Sequence, residues 1–389
     1  MIAALLLADA SVLVPATSTL SSFIPQPTFL AQVDYDSHST EPATFNGFEL
    51  ARMRVGLRSN PVPWFNAVGS FEYSDGKVSP FEAYLEAVAA HSWHFSVGFR
   101  RTPLFHTAKD ELIEALPIPE LSLPVRALWP GVDLGAEVHY TPETLPLEAW
   151  LRFGNGSDSV QGNDGPNPAF DARTDLVLGR ARPSSSGFWG LRVGIGGHAK
   201  KRVDTSGLSD TTPDGFLFYH PVPTNGWQVI GEAHVAAWLG RWTATLEAGA
   251  AQEQRSGASL TGATIPQASI QTRGAALEVA CTVWGPERRP GQSGAPGVWP
   301  NEAPFSVDHW RGGSVEIAAR VERVDLEADA PDVRPGGAEG GAISLDWWAT
   351  PFTALAVAAY DYHLFLAPIE EPGETNFWLV TARATVSFR

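Results

Sequence analysis

The segment Phe48–Arg58 reads FELARMRVGLR and alternates two kinds of side chain. Its odd positions from 51 to 57 are apolar, namely alanine, methionine, valine and leucine, whereas Arg52, Arg54 and Arg58 occupy even positions. Successive side chains of a β-strand point to opposite faces, so a period of two gives this segment one apolar and one cationic face. A strand of this kind is typical of a barrel wall with lipid on one side and water on the other.

The same alternation recurs along the chain from about Gln26 onward, in segments bounded by Gly, Pro, Asn, Asp and Ser clusters. The strand Phe377–Phe388, for example, alternates tryptophan, valine and alanine with threonine, arginine and serine. The pattern predicts about sixteen strands, near residues 27–35, 48–58, 64–73, 80–89, 94–101, 132–140, 147–154, 172–182, 187–197, 226–237, 241–253, 271–283, 313–324, 341–348, 353–366 and 377–388.

A soluble β-sandwich also has alternating strands, so the alternation by itself does not decide between the two folds. Ionised side chains on the polar face of strand after strand, and aromatic residues near strand ends, favour the membrane barrel. A closed barrel also leaves no unpaired strand edge in hydrocarbon. We therefore predict an all-β fold, a transmembrane antiparallel β-barrel of about 16 strands.

The connections alternate between short turns and long loops, as they do in bacterial barrels with both chain ends in the periplasm. The longest of the predicted outer loops spans residues 102–131. The link Gly285–Gly312 breaks the rule, since it is long and Pro-rich where a short turn is expected. This link leaves open a count of fourteen or eighteen strands, or a folded periplasmic segment.

Composition narrows the function. A net charge of −16, without a basic run, argues against nucleic acid as a partner. The single cysteine, Cys281, excludes an intramolecular disulfide. Residues 1–25 are interpreted as a signal-like or disordered N-terminal segment, and residues 26–389 as the outer-membrane barrel domain.

Three motifs in register resemble the phosphate-selective porin O and P family of bacterial outer membranes. The Arg-rich segment 48–58 is followed by Thr102-Pro103-Leu104 at the entry to the long loop, by PGVDLG at 130–135 at its exit, and by Gly154-Asn155-Gly156 after the next hairpin. The resemblance covers about residues 48–160. It implies a sixteen-stranded barrel, a homotrimer, outer-membrane lipid as surroundings, and an inward-folded third loop that narrows the pore.

Arginines on the predicted lumen faces are the candidate pore-lining residues, because guanidinium groups bind oxyanions bidentately. Alternatively, they pair with nearby Glu82, Glu86, Glu137 and Glu148 and merely line a wet wall. Both interpretations stay open for the seven residues Arg52, Arg54, Arg58, Arg100, Arg152, Arg320 and Arg383.

The candidate constriction loop has a net charge of −2 between residues 102 and 131. It lacks the dense basic cluster on which phosphate specificity of the family depends. A general porin is therefore as compatible with the sequence as a phosphate channel. The ionised residues of this loop are Lys109, Asp110, Glu111, Glu114, Glu120 and Arg126.

We expect no enzymatic activity, cofactor or metal site, because the histidines lack HxxxH or HxH spacing and no nucleophile, phosphate or dinucleotide motif is present. Asp158 and Asp164 in a Gly/Asn-rich loop are more simply solvated than bound to calcium. The predicted function is an outer-membrane porin for passive diffusion of small solutes, with anions such as phosphate as candidates. The alternative is a soluble or surface-exposed β-rich binding protein without pore activity.

Overall fold

A computed structural model gives the fold of the chain. It describes residues 24–39, 46–142 except 75 and 91, 145–156, 167–179, 189–208, 211–217 except 214 and 216, 222–258, 264–285, 313–328, 332–367 except 351, and 372–388. The signal-like segment up to residue 23, Asp158, Asp164 and most of the Gly285–Gly312 link lie outside these residues.

Sixteen antiparallel strands, each hydrogen-bonded to its neighbours in sequence, form a closed barrel in which the first strand pairs with the last. The predicted all-β barrel and its strand number are confirmed. The strands are β1 Gln26–His38, β2 Gly47–Val62, β3 Phe65–Ser74, β4 Lys77–Ala89, β5 Trp93–Arg101, β6 Val132–Tyr140, β7 Leu147–Gly154, β8 Ala169–Leu178, β9 Trp189–Ser206, β10 Pro223–Leu239, β11 Trp242–Ala258, β12 Thr264–Trp284, β13 Ser314–Ala328, β14 Gly336–Thr350, β15 Thr353–Leu364 and β16 Asn376–Phe388.

The long link after Trp284 does not change the strand count. β12 and β13 pair directly, from Ile270 opposite Ala328 to Trp284 opposite Val315. The sheet is therefore continuous across this point, and the alternatives of fourteen or eighteen strands are excluded.

The two faces of the wall are those the sequence predicted. In β16 every second residue is buried, and the residues between are exposed. In β2, Met53, Val55 and Leu57 are exposed. Exposed aromatic side chains also lie at the short-turn end of the barrel, where an aromatic girdle meets the membrane interface; they are Trp64, Trp93, Trp189, Trp242, Trp284 and Phe388.

Several strands extend beyond their predicted ends on the loop side. β9 continues to Ser206 and β12 begins at Thr264. Polar residues interrupt the apolar alternation there, yet Lys200 still lies opposite Gln228 in the ladder. A ladder requires only backbone donors and acceptors and a neighbouring strand. Apolar alternation therefore predicts these strands too short on the loop side.

The loop between β5 and β6 is folded across the inside of the barrel. It contains a helical turn, α1 His106–Lys109, and a short helix, α2 Leu123–Leu128, which packs against β11, β12 and β13. No helix in the described part of the chain is long and apolar enough to cross a membrane.

Glycines on the inner wall provide room for this loop. A Cβ atom at Gly249 would lie 2.8 Å from the ring of Phe105 and 2.9 Å from the side chain of Leu128. A Cβ atom at Gly274 would lie 2.9 Å from Pro124. Phe105 and Leu128 are fully buried in a cluster with apolar wall residues, so the loop forms a core within the lumen.

Candidate pore constriction

Hydrogen bonds attach the loop to the far wall of the barrel. The backbone N–H of Thr107 donates to Glu247 at 2.9 Å. Arg320 donates to the carbonyl oxygen of Glu120 at 2.6 Å, and Arg383 donates to the carboxylate of Glu120 at 2.7 Å. These bonds join the loop to β11, β13 and β16, which lie far from β5 and β6 in the sheet order.

Glu322 fixes the start of α2. Its carboxylate accepts hydrogen bonds from the backbone N–H of Leu123 at 2.5 Å and from the hydroxyl of Tyr362 at 2.8 Å. Arg320 adds an ion pair at 3.0 Å. A carboxylate is favoured at a helix N-terminus, because the first backbone N–H groups have no partner within the helix.

A second attachment lies at β8 and β9, where Arg173 approaches Asp110 at 2.5 Å and Arg192 approaches it at 3.4 Å. Burial disfavours the ionised form of Asp110, but the two guanidinium groups outweigh this effect and hold its pKa well below the usual value. Burial likewise disfavours the charged form of His106. Hydrogen bonds to Asp110 and Glu111 nevertheless raise its pKa to about 9.

Spaces lie on both sides of the loop. One of them, a small pocket of about 10 Å³ between the loop and β11–β13, is roughly the size needed for one water molecule. Between the loop and β1–β5 lies a cavity of about 260 Å³, which we call the lumen cavity. It is lined by Thr28, Phe29, Leu30, Arg54, Arg58, Val68, Ser70, Phe81, Glu82, Tyr84, Arg100, Arg101, Lys109, Leu112 and Glu114.

Positive charge dominates the lining of the lumen cavity. Five cationic and two anionic side chains line it, with Glu82 and Glu114 as the anions. Further carboxylates lie behind the cations: Glu72 and Glu86 are each 11 % exposed and Glu137 is 1 % exposed. These three carboxylates do not line the lumen cavity, whereas the five cations do.

Arg54 is held between an acid and a ring. It pairs with Glu72 at 2.5 Å, and its guanidinium lies 3.5 Å from the centre of the Phe81 ring. The pairing between β3 and β4 shifts between Ser70 and Phe71 and leaves Phe81 as the extra residue of a bulge. A bulge redirects a side chain, which brings this ring beneath the arginine.

Arg100 has a similar setting on β5. Its guanidinium lies 4.4 Å from the Tyr84 ring and contacts Glu86 and Glu137, each at 3.2 Å. The neighbouring Arg101 donates to the carbonyl oxygens of Ala108 and Glu111 in the loop, at 3.0 and 2.9 Å. Both arginines are therefore fixed at the edge of the cavity.

Lys109 brings a cation from the loop itself. Its ammonium group donates to the carbonyl oxygen of Arg101 at 3.0 Å and to Glu137 at 3.1 Å. Burial, together with the positive charges of Arg100 and Arg101, lowers its pKa to about 8, although Glu137 acts in the opposite direction. This lysine therefore changes its charge close to neutral pH.

Arg58 differs from the other cations of the cavity, because its side chain is exposed. Among the residues that the structure describes, no carboxylate oxygen lies within the 4.0 Å of an ion pair with it. Its full charge and its planar fork of N–H donors thus face the cavity.

The arginines predicted to line the pore separate into two groups. Arg54, Arg58 and Arg100 line the lumen cavity. Arg52 lies beside it and shares Glu72 with Arg54. The other three are almost completely buried in ion pairs and do not line the cavity: Arg152 with Glu137, Arg320 with Glu322, and Arg383 with Asp34.

Of the loop carboxylates, only Glu114 lines the lumen cavity. Asp110 and Glu111 contact His106 at 3.0 and 3.2 Å. Glu120 pairs with Arg383, and although burial raises its pKa, that cation and other nearby arginines lower it to about 2. Arg126 of α2 donates to Thr211 at 3.4 Å. The negative charge of the loop is thus directed mainly away from the cavity.

The sequence reasoning missed Arg101, Phe81 and Tyr84. The alternation places Tyr84 on the lumen face, which was a usable signal. Arg101 comes next to Arg100, and strict alternation assigns it to the lipid face. Phe81 faces inward only because of the bulge, which the alternation of side chains does not indicate.

A group of three carboxylates, Asp34, Asp36 and Glu49, was also overlooked, although their oxygens lie within 4.8 Å of one another. Asp34 already binds Arg383, and Asp36 accepts a hydrogen bond from Thr381 at 2.6 Å. Two of the three carboxylates are therefore already satisfied by partners in the barrel wall.

Solved structures with the same architecture come from bacterial outer membranes. Outer-membrane expressed OmpT of Vibrio cholerae superposes with a TM-score of 0.57 at 10 % identity, over 95 % of this chain and 100 % of that chain. The fold is that of an outer-membrane porin. An anion-selective porin from Comamonas acidovorans superposes with a TM-score of 0.55 at 10 % identity, over 94 % of this chain and 100 % of that chain. The outer-membrane channel DcaP of Acinetobacter baumannii superposes with a TM-score of 0.53 at 10 % identity, over 95 % of this chain and 99 % of that chain.

At such low identities the likeness concerns the fold alone. No protein-family model and no curated protein sequence matches the chain. The residues of the lumen cavity must therefore support any statement about the solute.

Proposed function

We propose that this protein is a porin of the bacterial outer membrane that lets small solutes diffuse passively and prefers anions. The observation that carries the proposal is the lining of the lumen cavity, with five cations facing the space and only two carboxylates beside them. The porin-like fold and the exposed apolar belt support the membrane location.

The preference follows from electrostatics in a confined space. An ion that enters a narrow pore exchanges part of its hydration shell for charges and donors on the wall. Arg58 has no carboxylate within ion-pair distance in the described part of the chain, whereas Arg54 and Arg100 are partly neutralised by Glu72 and Glu86. We therefore expect a moderate anion preference in which phosphate is one permeant anion among several.

We further propose that the barrel assembles as a homotrimer in outer-membrane lipid. One of the structurally similar proteins, OmpT of Vibrio cholerae, has been solved in a trimer form, and it shares 9 % identity with this chain. Sedimentation in detergent, before and after heating, tests this proposal, because a folded trimer should dissociate to a single smaller species.

The reversal potential of purified protein in planar bilayers under a KCl gradient tests the proposed function. We expect single-channel steps and a potential whose sign corresponds to preferred chloride passage. Steps with a potential that favours potassium would refute the anion preference and leave a pore. Recovery of folded protein without detergent, together with the absence of steps, would instead favour the alternative of a β-rich binding protein.

A further inference from the structure

The lumen cavity is not lined by charge alone. Leu30, Val68 and Leu112 share it with the cations, together with the rings of Phe81 and Tyr84. In the sheet, cationic and apolar residues are direct neighbours on the same face. Leu30 lies opposite Arg54, and Val68 lies opposite Arg58.

This lining is unusual for the wall of a wet channel, because apolar side chains gain nothing from contact with water. Val68 lies opposite Arg58 on β2 and opposite Tyr84 on β4, so a single apolar position adjoins both a cation and a ring. Leu112 comes from the loop, which places apolar surface on the opposite side of the same cavity.

The size of the cavity is consistent with an organic solute. Its volume of about 260 Å³ greatly exceeds the roughly 10–15 Å³ that one water molecule requires by the same measure. A bare inorganic anion would leave the apolar lining in contact with water. A solute with an apolar body would cover that lining and release the water.

We propose that the lumen cavity is a binding site for organic carboxylates that carry a compact apolar body, such as aromatic carboxylates. Arg58 receives the carboxylate, since its fork of donors matches two carboxylate oxygens. Val68, Leu112 and the ring of Tyr84 receive the body. This inference rests on the proposed function and adds the chemical class of the preferred solute.

The test is a block of single-channel KCl current by benzoate, acetate and phosphate, each added as its sodium salt to the full chain in planar bilayers. We expect benzoate to reach half-block at a concentration about tenfold lower than acetate or phosphate, since both small anions lack the apolar body. This comparison uses the unmodified protein and does not depend on the folding of any variant.

Substitutions locate the effect. Val68→Thr keeps the shape of the side chain and adds a hydroxyl, so it should weaken the benzoate block severalfold and leave the acetate block unchanged. Val55→Thr is the matched control, because Val55 is 47 % exposed on the lipid face. Arg58→Ala should weaken the block by both carboxylates.

The proposed function and the organic-carboxylate inference can be refuted separately. A reversal potential without anion preference would refute the anion preference of the proposed function. Chloride preference combined with equal block by benzoate and acetate would refute only the organic-carboxylate inference, as would a Val68→Thr channel that benzoate blocks as well as the original.

Discussion

Replacing Arg58 with alanine removes the one lining cation for which no carboxylate partner lies within ion-pair distance among the described residues. At about 6 Å, one unit charge changes the energy of a passing monovalent ion by about 0.7 kcal/mol in bulk-like water, and by about 2.8 kcal/mol at an effective dielectric constant near 20. Because Arg58 is exposed in a wet cavity, we use the lower figure. Chloride loses this stabilisation, and potassium loses an equal repulsion. The energies of the two ions in the cavity therefore change by about 1.4 kcal/mol relative to each other, which corresponds to roughly a tenfold change in the chloride-to-potassium permeability ratio.

Reversal potentials in KCl gradients measure this ratio, and salt concentration provides an internal check. The Debye length is about 10 Å at 0.1 M and about 3 Å at 1 M, so the effect of Arg58→Ala should shrink as the salt increases. Arg58→Lys should keep most of the anion preference. Arg273→Ala is the matched control: it removes the same charge from a side chain that is 60 % exposed on β12. Equal shifts in the Arg58→Ala and Arg273→Ala channels, or no shift in either, would refute the reasoning.

Three further predictions concern the wall and the loop. Val55→Arg should impair assembly, because a charge near mid-bilayer costs about 2–4 kcal/mol, whereas Thr243→Arg on the lumen face should be tolerated. Urea titration of the folded protein in detergent compares the stability of the two variants. Equal stability would contradict the assigned faces. Raising the pH from about 7 to about 8.5 should lower the chloride preference measured by reversal potential, because Lys109, with a pKa of about 8, is charged below that value and loses its charge above it. Lys109→Arg should remove most of this dependence, since His106, with a pKa of about 9, does not line the cavity. Gly249→Val should displace the loop and raise the single-channel conductance, because its Cβ would lie 2.8 Å from the ring of Phe105. Gly231→Val is the control, since its Cβ would have no atom within 4 Å and the conductance should not change. An unchanged conductance in the Gly249→Val channel would argue against a loop packed on this wall.

The sequence by itself determined the barrel. In Phe48–Arg58 and Phe377–Phe388, alternation with a period of two assigned each side chain to a face, and the burial of β16 and of residues 52–57 in β2 follows that assignment. This succeeded because strand geometry is local: the direction of a side chain depends on its position in the strand and on little else. The alternation of short turns and long loops predicted an even number of strands. The long link 285–312 does not change that number.

Only the tertiary structure decided which charges face the solute. Arg58 and Arg383 look equivalent in the sequence, since each lies on the polar face of an alternating strand. Arg383 is neutralised by Asp34, about 350 residues earlier in the chain, because barrel closure pairs β1 with β16. Among the described residues, Arg58 has no carboxylate within ion-pair distance.

The same holds for the loop between β5 and β6. Its composition predicts a negative constriction, yet Asp110 is paired with Arg173 of β8, and Lys109 faces the cavity. A sum of charges along a segment contains no information on direction, whereas the electrostatic potential of a pore depends on which charges face the water and which are neutralised behind the wall. Those pairings join strands distant in sequence, so they are determined only once the barrel has closed and the loop has packed against Gly249 and Gly274.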